Sequence, residues 1–465
     1  MKIKLSVFSF LLFLSLLSTP IFNQVSQNMT LLANKNDHPP SGGSLYSALW
    51  GYRAPNNREY AILGCRNGTA FYDVTDSLNI HEVDFIPGLN NNWREMKTYS
   101  HYAYIVSELT GSGLLIVDLQ YLPDSVHVVG TFLYTGYNHT HSIQQDGPYL
   151  YLNGGNVSTG LSDPGGVTII DVTNPEVPVK RGSWGTYYVH DCRVRNDTMY
   201  ACNIYDPPGT ISVINVANKN SLSTITSWVN NPNPFPHNCA LMPGRTYILT
   251  TDETSTPNGK LKVWNISNLS NVTLVATWMP PGITTSIVHN VEIYGNFALI
   301  AHYSAGVRVV NVSNPASPTE VAYYDTYSAN NSNNYNGCWG VYMLPSGKVI
   351  ASDRQTGLWV FRPTIAINGI EDPNTIPSGF ELKQNYPNPF NPSTTIGYSI
   401  PKSSFVKIKV FDAIGRQIAL ITDEYKQAGN YKISFDAGQL SSGVYFYNIT
   451  TDNGFNLTKK MTLVK

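Results

Sequence analysis

The stretch Gly306-Val307-Arg308-Val309-Val310-Asn311-Val312-Ser313-Asn314-Pro315 decides how this chain folds. A glycine opens it, a mostly apolar run follows, and an Asn with a small polar turn and a proline ends it. The run has the length and β-branched content of a strand. The Asn-Val-Ser-Asn-Pro ending supplies side chains for an Asx-type turn and a ring that stops the strand. Close copies read Gly68-Thr69-Ala70-Phe71-Tyr72-Asp73-Val74-Thr75 and Gly166-Val167-Thr168-Ile169-Ile170-Asp171-Val172-Thr173-Asn174-Pro175. Looser copies start at Gly113, Gly209, Gly259 and Gly357, and neighbouring starts lie 43 to 53 residues apart. A period of this size marks a repeat architecture.

The unit around the phrase has four strand-like segments: His289–Ile293, Phe297–His302, the phrase itself, and Glu320–Tyr324. Four strands joined by tight turns within about 45–50 residues make one blade of a β-propeller. The phrase is apolar on both faces because a blade is packed between two neighbours. The seventh unit lacks a fourth strand, since Phe361-Arg362-Pro363 runs straight into a linker. Asn28-Met29-Thr30-Leu31-Leu32-Ala33 closely matches Asn271-Val272-Thr273-Leu274-Val275-Ala276. The start of the mature chain is therefore expected to complete the last blade and close the ring, removing exposed edges. The expectation is an all-β chain with a seven-bladed propeller over residues 24–363.

Composition agrees with strands and turns. Only 13% of residues are charged, and the formal net charge is −1 with no basic block, which excludes a phosphate-tracking nucleic-acid binder. Lys2 and Lys4 precede an apolar stretch from Leu5 to Leu17. This reads as a secretory signal peptide over residues 1–23, too short for a stable membrane span. No Cys follows the stretch, against a lipoprotein anchor, and no other segment is apolar enough to span a bilayer. Five cysteines permit disulfides in an exported chain. Cys192 and Cys202 flank a turn, so a hairpin bridge and two free thiols are both open there.

Residues 364–376 carry no repeat and read as a linker. After them, Asn385-Tyr386-Pro387-Asn388-Pro389-Phe390-Asn391-Pro392 cannot be helix or central strand. Short alternating strands follow, and residues 377–465 are expected to form a small Ig-like β-sandwich. This segment resembles the type A sorting domain of the type IX secretion system. The resemblance rests on Asn385–Thr395, Ile396–Pro401, Val410–Arg416, Ala428–Tyr431, Leu440–Tyr447 and Lys459-Lys460-Met461. It implies export through the outer membrane of a didermal bacterium, with residues 377–465 meeting the secretion machinery. The repeats resemble LVIVD-repeat propellers and, more narrowly, the choice-of-anchor B family. The residues behind the narrower likeness are His289-Asn290, Ser304–Arg308, Trp339–Phe361, Val189-His190-Asp191, and His237 before Thr251-Asp252-Glu253. That resemblance implies an exported propeller and brings no biochemical activity.

Aligning the repeats puts one residue at the start of each first strand, near the mouth of the central channel: Trp50, Trp93, His141, His190, His237, His289 and Trp339. Second strands end with Glu108, Asn153, Asp206, Asp252-Glu253, His302 and Asp353. Two readings follow. His141, His190, His237, His289 and His302 with Asp252 can hold a divalent transition metal. The same imidazoles can instead lock loops through hydrogen bonds, as in WD-type propellers. Trp50, Trp93, Trp339, Glu108 and Asp353 are candidates for contacting a ligand. Arg94 and Glu95 read as solvated charges. No Ser-His-Asp spacing, phosphate-cradling Gly loop or CxxC pair appears. A non-enzymatic module binding an extracellular ligand or protein leads; an exported metalloenzyme and a structural adhesion component are the alternatives.

Overall fold

The computed structural model describes residues 26–39, 45–137, 139–155, 165–255, 259–367, 379–401, 404–426 and 429–465. The expected signal peptide and most of the expected linker lie outside the described residues. Seven antiparallel sheets occupy Ser26–Pro363, each pairing consecutive strands in chain order. The sixth holds Val291–Tyr294, Phe297–Ala301, Val307–Asn311 and Thr319–Tyr324. The first strand of every sheet touches the first strand of the next. Cys338–Met343 of the seventh touches Leu49–Arg53 of the first, which closes the ring of a β-propeller.

The repeated phrase is the third strand of each sheet. In Val307–Asn311 the first four residues are buried, as packing between two neighbours requires. The Asx turns form as the sequence implies. Ser313 N–H donates to Asn311 Oδ1 at 2.9 Å, and Thr75–Asp73, Thr173–Asp171 and Ser267–Asn265 repeat the bond. Gly306 has φ +77°, and a Cβ there would stand 2.3 Å from the Tyr324 carbonyl oxygen. Only glycine suits that position.

The chain start closes the ring as expected. Met29–Lys35 pairs antiparallel with Gly357–Pro363, Met29 opposite Pro363 and Lys35 opposite Leu358. Ser26 and Gln27 additionally pair with Tyr324 and Tyr323 of the sixth sheet, which the sequence did not signal. Between them Asn28 takes φ +52° and its Nδ2 donates to the Val321 carbonyl at 2.8 Å. One short segment therefore fastens two sheets.

The cysteine hairpin bridge is excluded by register. Cys192 stands opposite Ala201 and Cys202 opposite Asp191, so the two thiols leave opposite faces of the pair. All five cysteines are free and buried.

Beyond the linker, a three-stranded sheet (Glu381–Leu382, Ser393–Ile400, Gly429–Asp436) faces a four-stranded one (Ser404–Phe411, Gln417–Lys426, Gly443–Thr451, Asn456–Leu463). They share a core containing Ile396, Tyr398, Val406, Ile408, Tyr447 and Met461. Buried Asn385 pins the proline-rich entry: its N–H donates to Tyr447 Oη at 2.8 Å and its amide donates to Pro387 O and Thr394 Oγ1. No helix among the described residues is long and apolar enough to cross a membrane.

Candidate functional site

The mouth of the ring is lined by one residue at the start of each sheet: Ala48, Trp93, His141, His190, His237, His289 and Trp339. Six match the sequence alignment. In the first sheet Ala48 takes the place expected of Trp50. Trp50 lines the next section of the channel, under the Lys97 ammonium at 3.8 Å and edge-on to Tyr342. The backbone sets these positions. His141, His190 and His289 donate their N–H to Asn153, Cys202 and Ala301, at 2.9, 2.9 and 3.0 Å. His237 sits where a register shift between Pro236 and Asn238 interrupts the ladder.

The four imidazoles stand in a row. Centroid separations are 4.0 Å from His141 to His190, 4.1 Å to His237 and 4.3 Å to His289. The outer two are held at Nδ1. His141 Nδ1 meets Glu108 Oε1 at 2.5 Å, and His289 Nδ1 donates to the Trp339 carbonyl at 2.5 Å. The middle two are held more loosely: each ring leans on the backbone of the next sheet, at His237 and at His289, and among the described residues Nδ1 of neither closes a well-formed bond. Burial holds His190, His237 and His289 well below the ordinary imidazole range, His289 at about 3. They are neutral, with lone pairs to offer. His141 goes the other way: burial opposes its charge, but the Glu108 contact raises it and lowers Glu108.

The second-strand ends form an outer ring, and here the sequence reading slips by one residue. Successive strand residues face opposite sides, so a one-residue error turns a mouth residue into a scaffold residue. Asp252 points away and pairs with Lys262 Nζ at 2.7 Å, both side chains 1% exposed. His302 is bonded to Ser286 Oγ at 2.9 Å, outside the row of imidazoles. Asp353 accepts from Thr326 Oγ1 and from Gln355 and Thr356, closing a turn. Their chain neighbours face the mouth. Glu253 Oε2 lies 3.5 Å from His237 Nε2, and its Oε1 lies 3.8 Å from His289 Nε2. Tyr303 Oη donates to Glu253 Oε1 at 2.5 Å. The Arg354 guanidinium covers the Trp339 ring at 4.8 Å. In the fourth sheet the expected Asp206 lies in the turn after Thr198–Asn203 and accepts from Thr210 Oγ1 at 2.9 Å, and Tyr205 beside it faces outward. It is 63% exposed, with Tyr188 and Phe235 at centroid distances of 5.1 and 6.2 Å. Of the expected ends, Glu108 and Glu253 face the mouth.

Burial pushes the Glu253 carboxyl up to about 7 against the pull of the Tyr303 hydroxyl and of His141. Tyr303 reaches it from a left-handed backbone, φ +31°, a conformation costly for a bulky residue and found where function holds it. Its carbonyl is pinned by Cys338 N–H and Gly306 N–H, both at 2.9 Å. Below the mouth the channel is charged and paired. Glu95 meets Lys97 at 3.2 Å and Arg193 meets Glu292 at 2.9 Å. Asn238 donates to Asp191, whose carboxyl burial raises. Glu95 lines the channel, and Arg94 is buried with its guanidinium on the Cys65 and Leu89 carbonyls. Neither is the solvated charge expected.

Among the described residues, His190, His237 and Glu253 bring ligand atoms within 4.8 Å of one another. Donors about 2.0–2.2 Å from one tetrahedral ion stand roughly 3.3 Å apart, so the set would have to close by on the order of 1 Å to hold one.

Residues 384–464 match the secretion system C-terminal sorting domain, and residues 287–326 match the LVIVD repeat. No curated protein matches the chain. Among solved structures, the chain is similar to PorZ of Porphyromonas gingivalis, a surface component of the type IX secretion system. Identity is 10% over 89% of this chain, with a TM-score of 0.45, and the chain spans 59% of PorZ. It is similar to a hypothetical selenium-binding protein of Sulfolobus tokodaii at 11% identity, over 93% of this chain and 95% of that one, TM-score 0.49. U3-55K gives 10% identity over 72% and 98% of the two chains, TM-score 0.49. Likenesses at this level say nothing of ligand or activity. The tail does say where the protein goes: the chain is a β-propeller with an LVIVD repeat at residues 287–326, and it carries a sorting domain for type IX export to the cell surface or extracellular space.

Proposed function

We propose that the exported propeller is a binding module whose ligand enters the mouth of the ring, and that its recognition element is a divalent transition-metal ion on His190, His237 and Glu253. The observation that carries this is the contrast within the row of imidazoles. His141 and His289 have Nδ1 tied to the scaffold, while among the described residues Nδ1 of His190 and of His237 closes no such bond, and both rings are buried and neutral near the Glu253 carboxylate, which faces His237 Nε2. Among the described residues the inner pair leans on the backbone of the next sheet, at His237 and at His289, so loop-locking accounts for the outer pair more fully than for the inner. Two imidazoles and a carboxylate suit zinc or a neighbouring first-row metal. Tyr303 orients the carboxylate from behind, as outer partners of metal ligands do.

Three protein donors leave a fourth position for water or a ligand atom. That open position favours one further reading, an exported metal-dependent enzyme working at the same ion. In either case the functional unit is residues 24–363, joined by a linker over 364–376 to a sorting domain over 377–465; the narrower choice-of-anchor B assignment fits this arrangement.

Metal analysis of untagged protein tests the proposal. Stoichiometric zinc, copper or iron that disappears in both His190→Ala and His237→Ala supports it. Metal-free protein that also fails to take up zinc on titration sinks it. Turnover of a hydrolase or oxidase substrate by the loaded protein would select the enzymatic reading.

A further inference from the structure

Among the described residues, Arg354 forms no ion pair, although Glu253 and Asp353 act on it through space. Arg58, Arg181, Arg193 and Arg308 each meet a carboxylate. Arg94, buried without one, donates to two backbone carbonyls. Arg354 has neither arrangement. Its Nη1 donates to the Tyr335 carbonyl at 2.6 Å, its plane covers Trp339, and its Nε is buried without a partner. Among the described residues no carboxylate pairs with it, although Glu253 stands nearby in the same outer ring. A desolvated donor of this kind is costly unless something completes it, and a guanidinium edge fits the two oxygens of a carboxylate.

We infer that Arg354 takes the carboxylate of a small organic acid at the mouth, with the acid's body against Trp339 and Tyr335. Two features select this class. Among the described residues, the mouth offers one guanidinium outside an ion pair beside two carboxylates, Glu108 and Glu253, so a monoanion suits it better than a tetrahedral dianion. The walls are aromatic: Tyr335 is 41% exposed and edge-on to Tyr303 at 5.4 Å, with Trp339 at 6.1 Å from Tyr303. Such faces bury an organic body and give an inorganic ion nothing. The inference rests on the mouth being a binding site and does not require the ion.

Calorimetric titration of the full exported chain tests it with three probes: phenylacetate, 2-phenylethanol and inorganic phosphate. Phenylacetate is expected to bind at least 10-fold more tightly than either of the others. Arg354→Gln should weaken it at least 10-fold, and Arg354→Lys, which keeps the charge and loses the fork, several-fold. Equal binding of phenylacetate to wild type and Arg354→Gln overturns the inference, as does tighter binding of phosphate or of the alcohol. Should Arg354→Gln fail to fold by circular dichroism, unchanged affinity in Arg354→Lys overturns it equally. Zinc titration on the same proteins separates this inference from the metal reading. Arg354→Gln should hold zinc within about 3-fold of wild type, and His237→Ala should lose zinc yet bind phenylacetate in the presence of a chelator.

Discussion

The inner and outer rings of the mouth are built from the same seven sheets, yet they differ in how the backbone presents them. Inner-ring residues stand where each sheet begins, and a backbone hydrogen bond fixes most of them. They are consequently aligned from sheet to sheet. Outer-ring residues follow second strands, where one step along the chain reverses the side chain's direction. Asp252, His302 and Asp353 serve the scaffold, and Glu253, Tyr303 and Arg354 serve the mouth. Adjacent residues thus carry unrelated duties, one holding the sheet together and the next facing the ligand space.

Substitutions in adjacent pairs test that division. The largest effect is expected at Asp252→Ala, which leaves Lys262 buried and unpaired; a loss of about 3–5 kcal/mol in chemical denaturation is expected, with zinc affinity unchanged once folded. His237→Ala should do the reverse, lowering zinc affinity by about 100-fold, or about 2.7 kcal/mol, in competition with a chromophoric chelator, while the melting temperature of the metal-free protein moves little. A pH scan separates scaffold from mouth in a third way. Asp325 is buried, and burial pushes its carboxyl up to about 6 from 3.8. Its protonated form is therefore favoured by folding: this contribution is complete below about pH 4 and is lost as pH rises through about 6. Asp325→Asn should gain on the order of 2 kcal/mol at pH 8 relative to pH 4, without altering zinc binding. The smallest effect belongs to Tyr303→Phe, which removes the donor behind Glu253. Zinc affinity should fall about 10-fold, whereas His302→Gln should leave it unchanged. A metal loss at Asp252 or His302 equal to that at Glu253 would break the division.

The recurring Gly-to-Pro phrase made the sheets legible, because its period and its Asx turns are local chemistry that every copy repeats. The closing strand was legible as a misplaced copy of a fourth strand. Within the mouth, His141, His190, His237, His289, Trp93 and Trp339 were legible for the same reason. Trp50 was not, since the first sheet presents Ala48, and a conspicuous aromatic two residues on drew the alignment past it. Glu108 and Glu253 were legible in the outer ring, and the rest of it was hidden by side-chain parity. Asp, His and Asp look more like ligands than Tyr and Arg, so residue type pulled the reading to the wrong face. Alternation from Cys65, Ser107 and Asn203, buried strand ends in three other sheets, would have exposed the slip.

The pairing of Met29–Lys35 with Gly357–Pro363 has a mechanical side. Past Pro363, Thr364 N–H donates to the Asn28 carbonyl at 3.0 Å and Ile367 is buried in one cluster with Met29, so once those contacts give, tension on the tail arrives along the axis of Gly357–Pro363. Antiparallel hydrogen bonds run across that axis, and all the rungs on both flanks bear the load together instead of opening singly. Without residues 26–35 the same strand would be an edge, held on one side only. Single-molecule pulling from the tail should then unfold the propeller at a clearly lower force; an unchanged force would mean that the first strand bears none of it.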